Sequence, residues 1–353
     1  MKNNWWKYLA AILLVYAIVA GLLRPLNPGI LNVAPFAIES GTTQVFKVGT
    51  YNTHFDAATE IKAYVKINDT FGIQNTKLEV LESNLLKVTF DVPEKLPQVL
   101  KRHSYSLIID SPDQGAFIRP NAISITQKEI DIEGAIAAWP QNEYGSFTQL
   151  NKVNFPFRSI LYESIRNLFY HVPMWFGMTF LLMGSLVFAV RYLLDNKASY
   201  DIYSKSLIKI AVLYGVLGCV TGSIWARGTW GTWWTFEEVK LTVSAVSLLL
   251  YFAYFLLRSA IDDETNRARI SAIYNIVGFV ATIFLLFVLP RMVESSLHPG
   301  NGGNPGFGGE DLDHTLRTVF YPAVIGWTLL GFWLAQLAYR AELLEHYFLE
   351  KYD

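Results

Sequence analysis

The sequence predicts a polytopic α-helical membrane protein, with about six transmembrane helices and an inserted extracytoplasmic β-sandwich domain. Three observations predict this class. Six apolar runs punctuate the chain, each near the roughly 20 residues that cross a bilayer. A long segment between the first two runs has mixed charge and apolar residues at alternate positions. Basic residues gather in one set of short connecting segments, as expected of loops facing the cytoplasm. The 353 residues are 52% hydrophobic, and the excess over a soluble protein is concentrated in those runs, which are the surfaces for membrane lipid.

The first run, residues 8–23, follows Lys2, Trp5, Trp6 and Lys7. A signal peptide is the competing reading. The run is long, and Leu22-Leu23-Arg24-Pro25-Leu26 offers no small-residue cleavage site, so an uncleaved helix is expected over residues 1–26. Residues 27–157 read as the β domain and its connector. Ile61, Ala63, Val65 and Ile67 alternate with Lys62, Tyr64, Lys66 and Asn68, and Leu86, Val88 and Phe90 alternate with polar positions too. That period of two marks strands with one buried face, and short strands between turn signals predict an immunoglobulin-like sandwich. His54 and His103 lie on its polar stretches and read as surface residues. Residues 132–157 read as a connector returning to the membrane.

The remaining runs, 172–194, 207–224, 239–257, 270–289 and 319–339, place five more helices within residues 158–345, followed by a cytoplasmic tail, 346–353. Residues 300–309 are glycine-rich and read as a flexible loop. Glu310, Asp311 and Asp313 read as solvated. With the N-terminus inside, inner segments hold Lys2, Lys7, Arg191, Lys197, Lys205, Lys209, Arg258, Arg267, Arg269, Arg340 and Lys351; outer short segments hold Arg227, Arg291 and Arg317, with Lys240 at a helix start and Arg24 at a helix end. Both termini are then inside, and the β domain and the tryptophan stretch are both outside.

Composition excludes several functions. A net charge of −1 leaves no basic patch for nucleic acid. The single cysteine, Cys219, rules out an intrachain disulfide framework and any CxxC motif. The sequence has no Walker A, HExxH or nucleophile-elbow motif.

The chemistry-bearing stretch is Trp225-Ala226-Arg227-Gly228-Thr229-Trp230-Gly231-Thr232-Trp233-Trp234-Thr235-Phe236-Glu237, between the third and fourth runs. Tryptophan favours the membrane–water boundary, so an aromatic belt is one reading. The other is an apolar shelf of Trp230, Trp233 and Trp234, bent into place at Gly231, for a flat aromatic ligand. His171 opens the second run and His298 follows the fifth, so both reach the outer face with the tryptophans; His314 lies before the sixth. Neutral imidazole is a good ligand for haem iron.

Trp-Gly-Thr-Trp-Trp followed by an acid resembles the tryptophan-rich "WWD" motif of haem-handling proteins, and most nearly that of the cytochrome c maturation protein C family, the haem exporter subunits. Phe236-Glu237 stands where that family usually has Trp-Asp. Arg166 through Pro173 resembles the family's Arg-to-His-Val-Pro segment, and Ser296-Leu297-His298 its Thr-Leu-His segment, with Pro299 where Gln is usual. The resemblance covers roughly residues 1–26 and 160–345. It implies haem b held by His171 and His298 as axial ligands. It implies a platform of Trp225, Trp230, Trp233, Trp234 and Phe236, with Arg166 and Arg227 at the propionates and Glu237 as the acidic contact. It implies a place in a bacterial inner membrane with the β domain periplasmic. It also implies transfer to a haem chaperone beside ABC-transporter subunits, with no catalytic residue in this chain. The alternatives are a membrane scaffold or sensor whose β domain binds an extracytoplasmic ligand, and a single-chain-type cytochrome c synthase subunit. A cytochrome b is disfavoured because no histidine lies mid-helix.

Overall fold

The computed structural model describes residues 4–56, 60–139, 144–150, 153–159, 161–293, 296–298 and 312–352. The chain divides into two compact units, Pro25–Tyr162 and the remainder, Met1–Arg24 with Glu163–Asp353. The loop expected at 300–309, with Glu310 and Asp311, lies outside the described residues.

The Pro25–Tyr162 unit is a two-sheet sandwich. One sheet has the order β1-β3-β7-β6 and the other β2-β9-β8-β4-β5. Here β1 is Gly29–Ala34, β2 Ala37–Glu39, β3 Thr43–Tyr51, β4 Lys62–Lys66 and β5 Gly72–Gln74. β6 is Lys77–Glu82, β7 Leu85–Asp91, β8 Arg102–Ser111 and β9 Gly115–Thr126. These orders follow the ABED and GFC arrangement of immunoglobulin domains, with β2 added in parallel beside β9 and β5 added antiparallel beside β4. Alternation sets the faces: Leu86, Val88 and Phe90 of β7 turn inward with Phe46 and Val48 of β3. Val65, Leu107, Ile109 and Ile123 join the same core from the second sheet. The region read as a connector contains a short helix, α2 (Ile132–Ala137), whose N-cap Asp131 accepts from the Gly134 amide. His54 is exposed in the loop after β3, and His103 on β8 is half-buried with its ring 5.0 Å from that of Tyr105.

Among the described residues of the other unit, six helices are long and apolar enough to cross a membrane. They are α1 (Trp5–Leu23), α3 (His171–Asp195), α4 (Ala198–Trp230), α5 (Val239–Ser259), α6 (Glu264–Ile283) and α7 (His314–Tyr352). Several outrun their apolar cores. α4 continues past residue 224 through Trp225 and Arg227 to Trp230. It ends where Gly231 takes φ +78°, a left-handed conformation that glycine adopts without strain. α6 passes into a π-helical turn, Phe284–Val288, and then a short 3-10 turn holding Pro290, which has no N–H to continue the ladder. α7 starts at His314, ahead of its apolar run. Asp313, solvated in the sequence reading, is half-buried and accepts from the Leu316 amide at 2.7 Å, so this acid caps the helix.

Close approach and buried polar contacts join the helices, because lipid supplies little drive for apolar side chains to associate. A Cβ on Gly177 of α3 would stand 2.6 Å from the Tyr214 ring of α4. Ser185 and Ser204 pair at 2.8 Å, and Asn275 of α6 donates to Ser185 at 2.8 Å. Arg258 of α5 and Asp201 of α4 form a bidentate pair, 2.7 Å through each nitrogen. α1 lies along α7, with Arg24 donating to Thr318 Oγ1 at 2.9 Å.

Candidate functional site

A cavity of about 180 Å³ opens at the end of the bundle where α3 begins and α4 ends. His171 and Trp175 come from α3, Gly218, Cys219 and Gly222 from α4, and Lys240 and Ser244 from α5. Trp234, Leu286, Phe287, Pro290 and His298 contribute further wall. The two histidines paired in the sequence reading therefore share one cavity.

α4 makes room for the α3 side chains with two glycines one turn apart. A Cβ on Gly222 would lie 2.7 Å from Cε1 of His171, and one on Gly218 would lie 2.8 Å from the Trp175 ring. The His171 ring thus rests directly on the α4 backbone. Its Nδ1 is 3.0 Å from the Gly218 carbonyl and 3.2 Å from Thr221 Oγ1. A carbonyl only accepts, so Nδ1 carries the proton and donates to Gly218, and Nε2 keeps its lone pair.

His298 is held differently. Its ring centroid lies 5.0 Å from Trp230 and 5.9 Å from Trp225, and those two indoles meet edge to face at 5.2 Å. Its Nδ1 is buried and makes no hydrogen bond among the described residues; Glu238 Oε1 stands 3.4 Å away. Glu238 is 2% exposed and caps α5. Its carboxylate accepts from the Leu297 amide at 2.7 Å and from Ser296 Oγ at 2.9 and 3.0 Å. Burial pushes this carboxyl up, but the His298 ring, the Leu297 amide and the Ser296 hydroxyl outweigh it and hold the group down at about 2.

The structure brings His171, His298, Trp225, Trp230 and Trp234 together. Trp233 and Phe236 instead project, 59% and 81% exposed. Arg166 donates to the Gly21 and Arg24 carbonyls at 2.7 and 2.8 Å, closing the C-terminal end of α1, and pairs with Glu163. Arg227 is exposed and donates to the Gly231 carbonyl, at the end of its own helix. Glu237 is exposed, with its amide on Thr235 Oγ1. None of these five lines the cavity among the described residues. His314 is exposed at the start of α7 and does not line it either.

Sequence reasoning missed Glu238 and Lys240. Glu238 adjoins Glu237, the acid to which the motif points, and its signal is the N-cap position ahead of the fourth apolar run. Lys240 is the one lysine or arginine among the described lining residues. In the sequence it is only a charge at a helix start.

Two imidazoles alone suit a bare metal ion poorly, since structural sites usually supply four protein ligands. They suit an iron that arrives in a planar ring of four nitrogens, which leaves two axial positions. The fixed His171 tautomer, which keeps the Nε2 lone pair for a ligand, and the presence of His298 on the same cavity wall fit that group.

The family described as CcmC, Heme exporter protein C, matches residues 154–351. The chain is 29% identical over 189 residues to Heme exporter protein C of Bradyrhizobium diazoefficiens, covering 51% of this chain and 67% of that protein. It is 23% identical over 180 residues to the Paracoccus denitrificans protein of that name, covering 51% and 73%. The Escherichia coli K12 protein of that name is 26% identical over 184 residues, covering 52% and 71%. Strands β1 to β9 lie outside the segment that the family matches, while every described residue lining the cavity falls inside it. Because the match takes in more than half of its length, this chain belongs to the Heme exporter protein C family, and is a multi-pass membrane protein of haem handling in cytochrome c maturation.

Proposed function

We propose that this protein holds haem b as cargo in the cavity, with Nε2 of His171 and of His298 at the iron, and presents it to a haem chaperone. The carrying observation is the pairing itself: histidines from α3 and from the 296–298 segment line one cavity, and the Nδ1 of His171 is already engaged. Haem supplies the iron and its four equatorial nitrogens; the chain supplies the rest.

Each wall then has a task. Trp225 and Trp230 fix the His298 ring, and Trp234 and Trp175 offer apolar area to the macrocycle. Lys240 is the cation that meets a propionate carboxylate. Arg166 and Arg227 act one step back, by holding the ends of α1 and α4. At about 180 Å³ the cavity is smaller than the roughly 300–1,000 Å³ that encloses a drug-sized ligand. It therefore grips part of the macrocycle and leaves an edge outside, near the projecting Trp233 and Phe236, where a partner can take it.

The positive-inside pattern supports a periplasmic position for this end of the bundle, with both termini on the cytoplasmic side of the inner membrane. Energy for release comes from separate ABC-transporter subunits, since this sequence has no Walker A motif.

Titration of the purified protein with haemin in detergent tests the reading. One equivalent is expected to bind with a sharp Soret band, and His171→Ala with His298→Ala in one chain is expected to abolish it. Unchanged binding by that double variant would refute the site.

A further inference from the structure

The two histidines have unlike support. Nδ1 of His171 meets neutral acceptors, the Gly218 carbonyl and the Thr221 hydroxyl. Nδ1 of His298 faces a carboxylate. A helix N-cap needs only a short side chain, and Ser, Thr, Asp or Asn does that work best. At α5 the cap is a glutamate, whose longer arm reaches away from its own helix to the 296–298 segment. There it takes the Ser296 hydroxyl, the Leu297 amide and the edge of the His298 ring. From its own helix it accepts only the Lys240 amide among the described residues, at 3.2 Å.

Burying a carboxylate to 2% exposure is costly unless its oxygens are satisfied. Three of its contacts fall on His298 and the two residues before it, so the charge is directed at that ligand. The indoles of Trp225 and Trp230 pack around the ring, and the Ser296 hydroxyl also accepts from the His298 amide at 3.1 Å. The ring is constrained from several sides, with its Nδ1 3.4 Å from the Glu238 carboxylate.

We infer that Glu238 is a positioning residue that presents His298 through Nε2 and makes it the more strongly donating of the two histidines, so that ferric haem is held in preference to ferrous. This rests on the reading of the cavity as a haem site. The physical ground is general. A carboxylate on the far nitrogen of a ligating histidine fixes its tautomer and raises its basicity. A more basic donor favours the higher charge on iron. His171, facing a neutral carbonyl, lacks that assistance.

Redox potentiometry on the haem-loaded protein tests the inference. Glu238→Gln keeps the size of the side chain and an acceptor for the Leu297 amide but removes the charge. It is expected to weaken ferric binding about tenfold, the lower end of outer-shell effects, with ferrous binding little changed. At one electron, tenfold is about 59 mV, in the positive direction. Glu238→Asp keeps the charge and is expected to retain most of the wild-type ferric preference. Gly228→Ala, whose added Cβ meets nothing within 4 Å, is expected to leave the potential unchanged.

Thermal unfolding of each variant checks assembly. If Glu238→Gln fails to assemble, Ser296→Ala loosens the carboxylate while sparing charge and ligand; a smaller positive shift is expected, and none would overturn the inference. Equal potentials for wild type and Glu238→Gln would overturn it too, and would reduce Glu238 to a clamp on the 296–298 segment with the haem site intact. A wild-type protein that binds no haem overturns the site and this inference together.

Discussion

Replacing Gly222 by alanine places a Cβ 2.7 Å from Cε1 of His171. Carbon atoms in contact rest at about 3.5–4.0 Å, so the ring must retreat by about 1 Å. Its Nδ1 bond to the Gly218 carbonyl is 3.0 Å long and close to the end of the normal range, about 3.2 Å, so the retreat breaks it. That bond is worth about 0.5–1.5 kcal/mol net. Its loss also frees the tautomer and misplaces Nε2. Disturbing such outer-shell support costs about 10–100-fold in affinity, which is the expected loss of haem retention. The assay is haem per protein after purification, followed by haemin titration of the apo form. Gly228→Ala is the matched control, since nothing lies within 4 Å of its added Cβ. Wild-type retention by Gly222→Ala, with the control also normal, would refute the claim that His171 is seated on the α4 backbone to bind iron.

Four further outcomes are expected. Lys240→Met should weaken haem binding, and haem whose propionates are esterified should bind wild type and variant alike; a variant that still discriminates the ester would remove Lys240 from the propionates. Trp230→Ala should cost more haem than Trp233→Ala, because Trp230 packs on His298 while Trp233 is 59% exposed; the reverse order in the same titration would contradict the packing. Asp201→Asn leaves Arg258 without its buried charge partner and should destabilise the bundle by about 3–5 kcal/mol, read as a lowered unfolding temperature with haem ligation intact. Removing residues 33–132 with a short linker should leave the haem spectrum unchanged, and a lost Soret band in a variant that still inserts would show the sandwich to be part of the site.

The membrane helices are legible in the sequence as apolar runs, and two of the sandwich strands as alternating segments. The alternation at 85–91 becomes β7 with one buried face, while at 61–67 Tyr64 on the opposite face of β4 is buried as well, against Tyr144 and Phe147. The three-residue strands β2 and β5 are too short to carry such a pattern. Helix ends escape the same logic. Hydropathy fades at residue 224, yet Trp225 to Trp230 stay helical until Gly231 stops them, so part of the expected shelf lies on a helix. That turns Trp225 and Trp230 onto His298 and leaves Trp233 outside. The choice between Glu237 and Glu238 turns on one residue of register, set by where α5 starts and which acid reaches the 296–298 segment. Gly218 and Gly222 read as ordinary helix residues until the packing of α3 on α4 gives them Trp175 and His171 as neighbours. Arg166 and Arg227 carry the right charge for a propionate, but backbone carbonyls at two helix ends compete for the same donors.

The most direct test of the account is low-temperature electron paramagnetic resonance of the ferric, haem-loaded protein beside His171→Ala and His298→Ala. The wild type is expected to give a low-spin bis-imidazole signal, and each single variant a high-spin signal or no haem. A low-spin signal of wild-type shape surviving in both variants would contradict the pairing of His171 with His298 across this cavity.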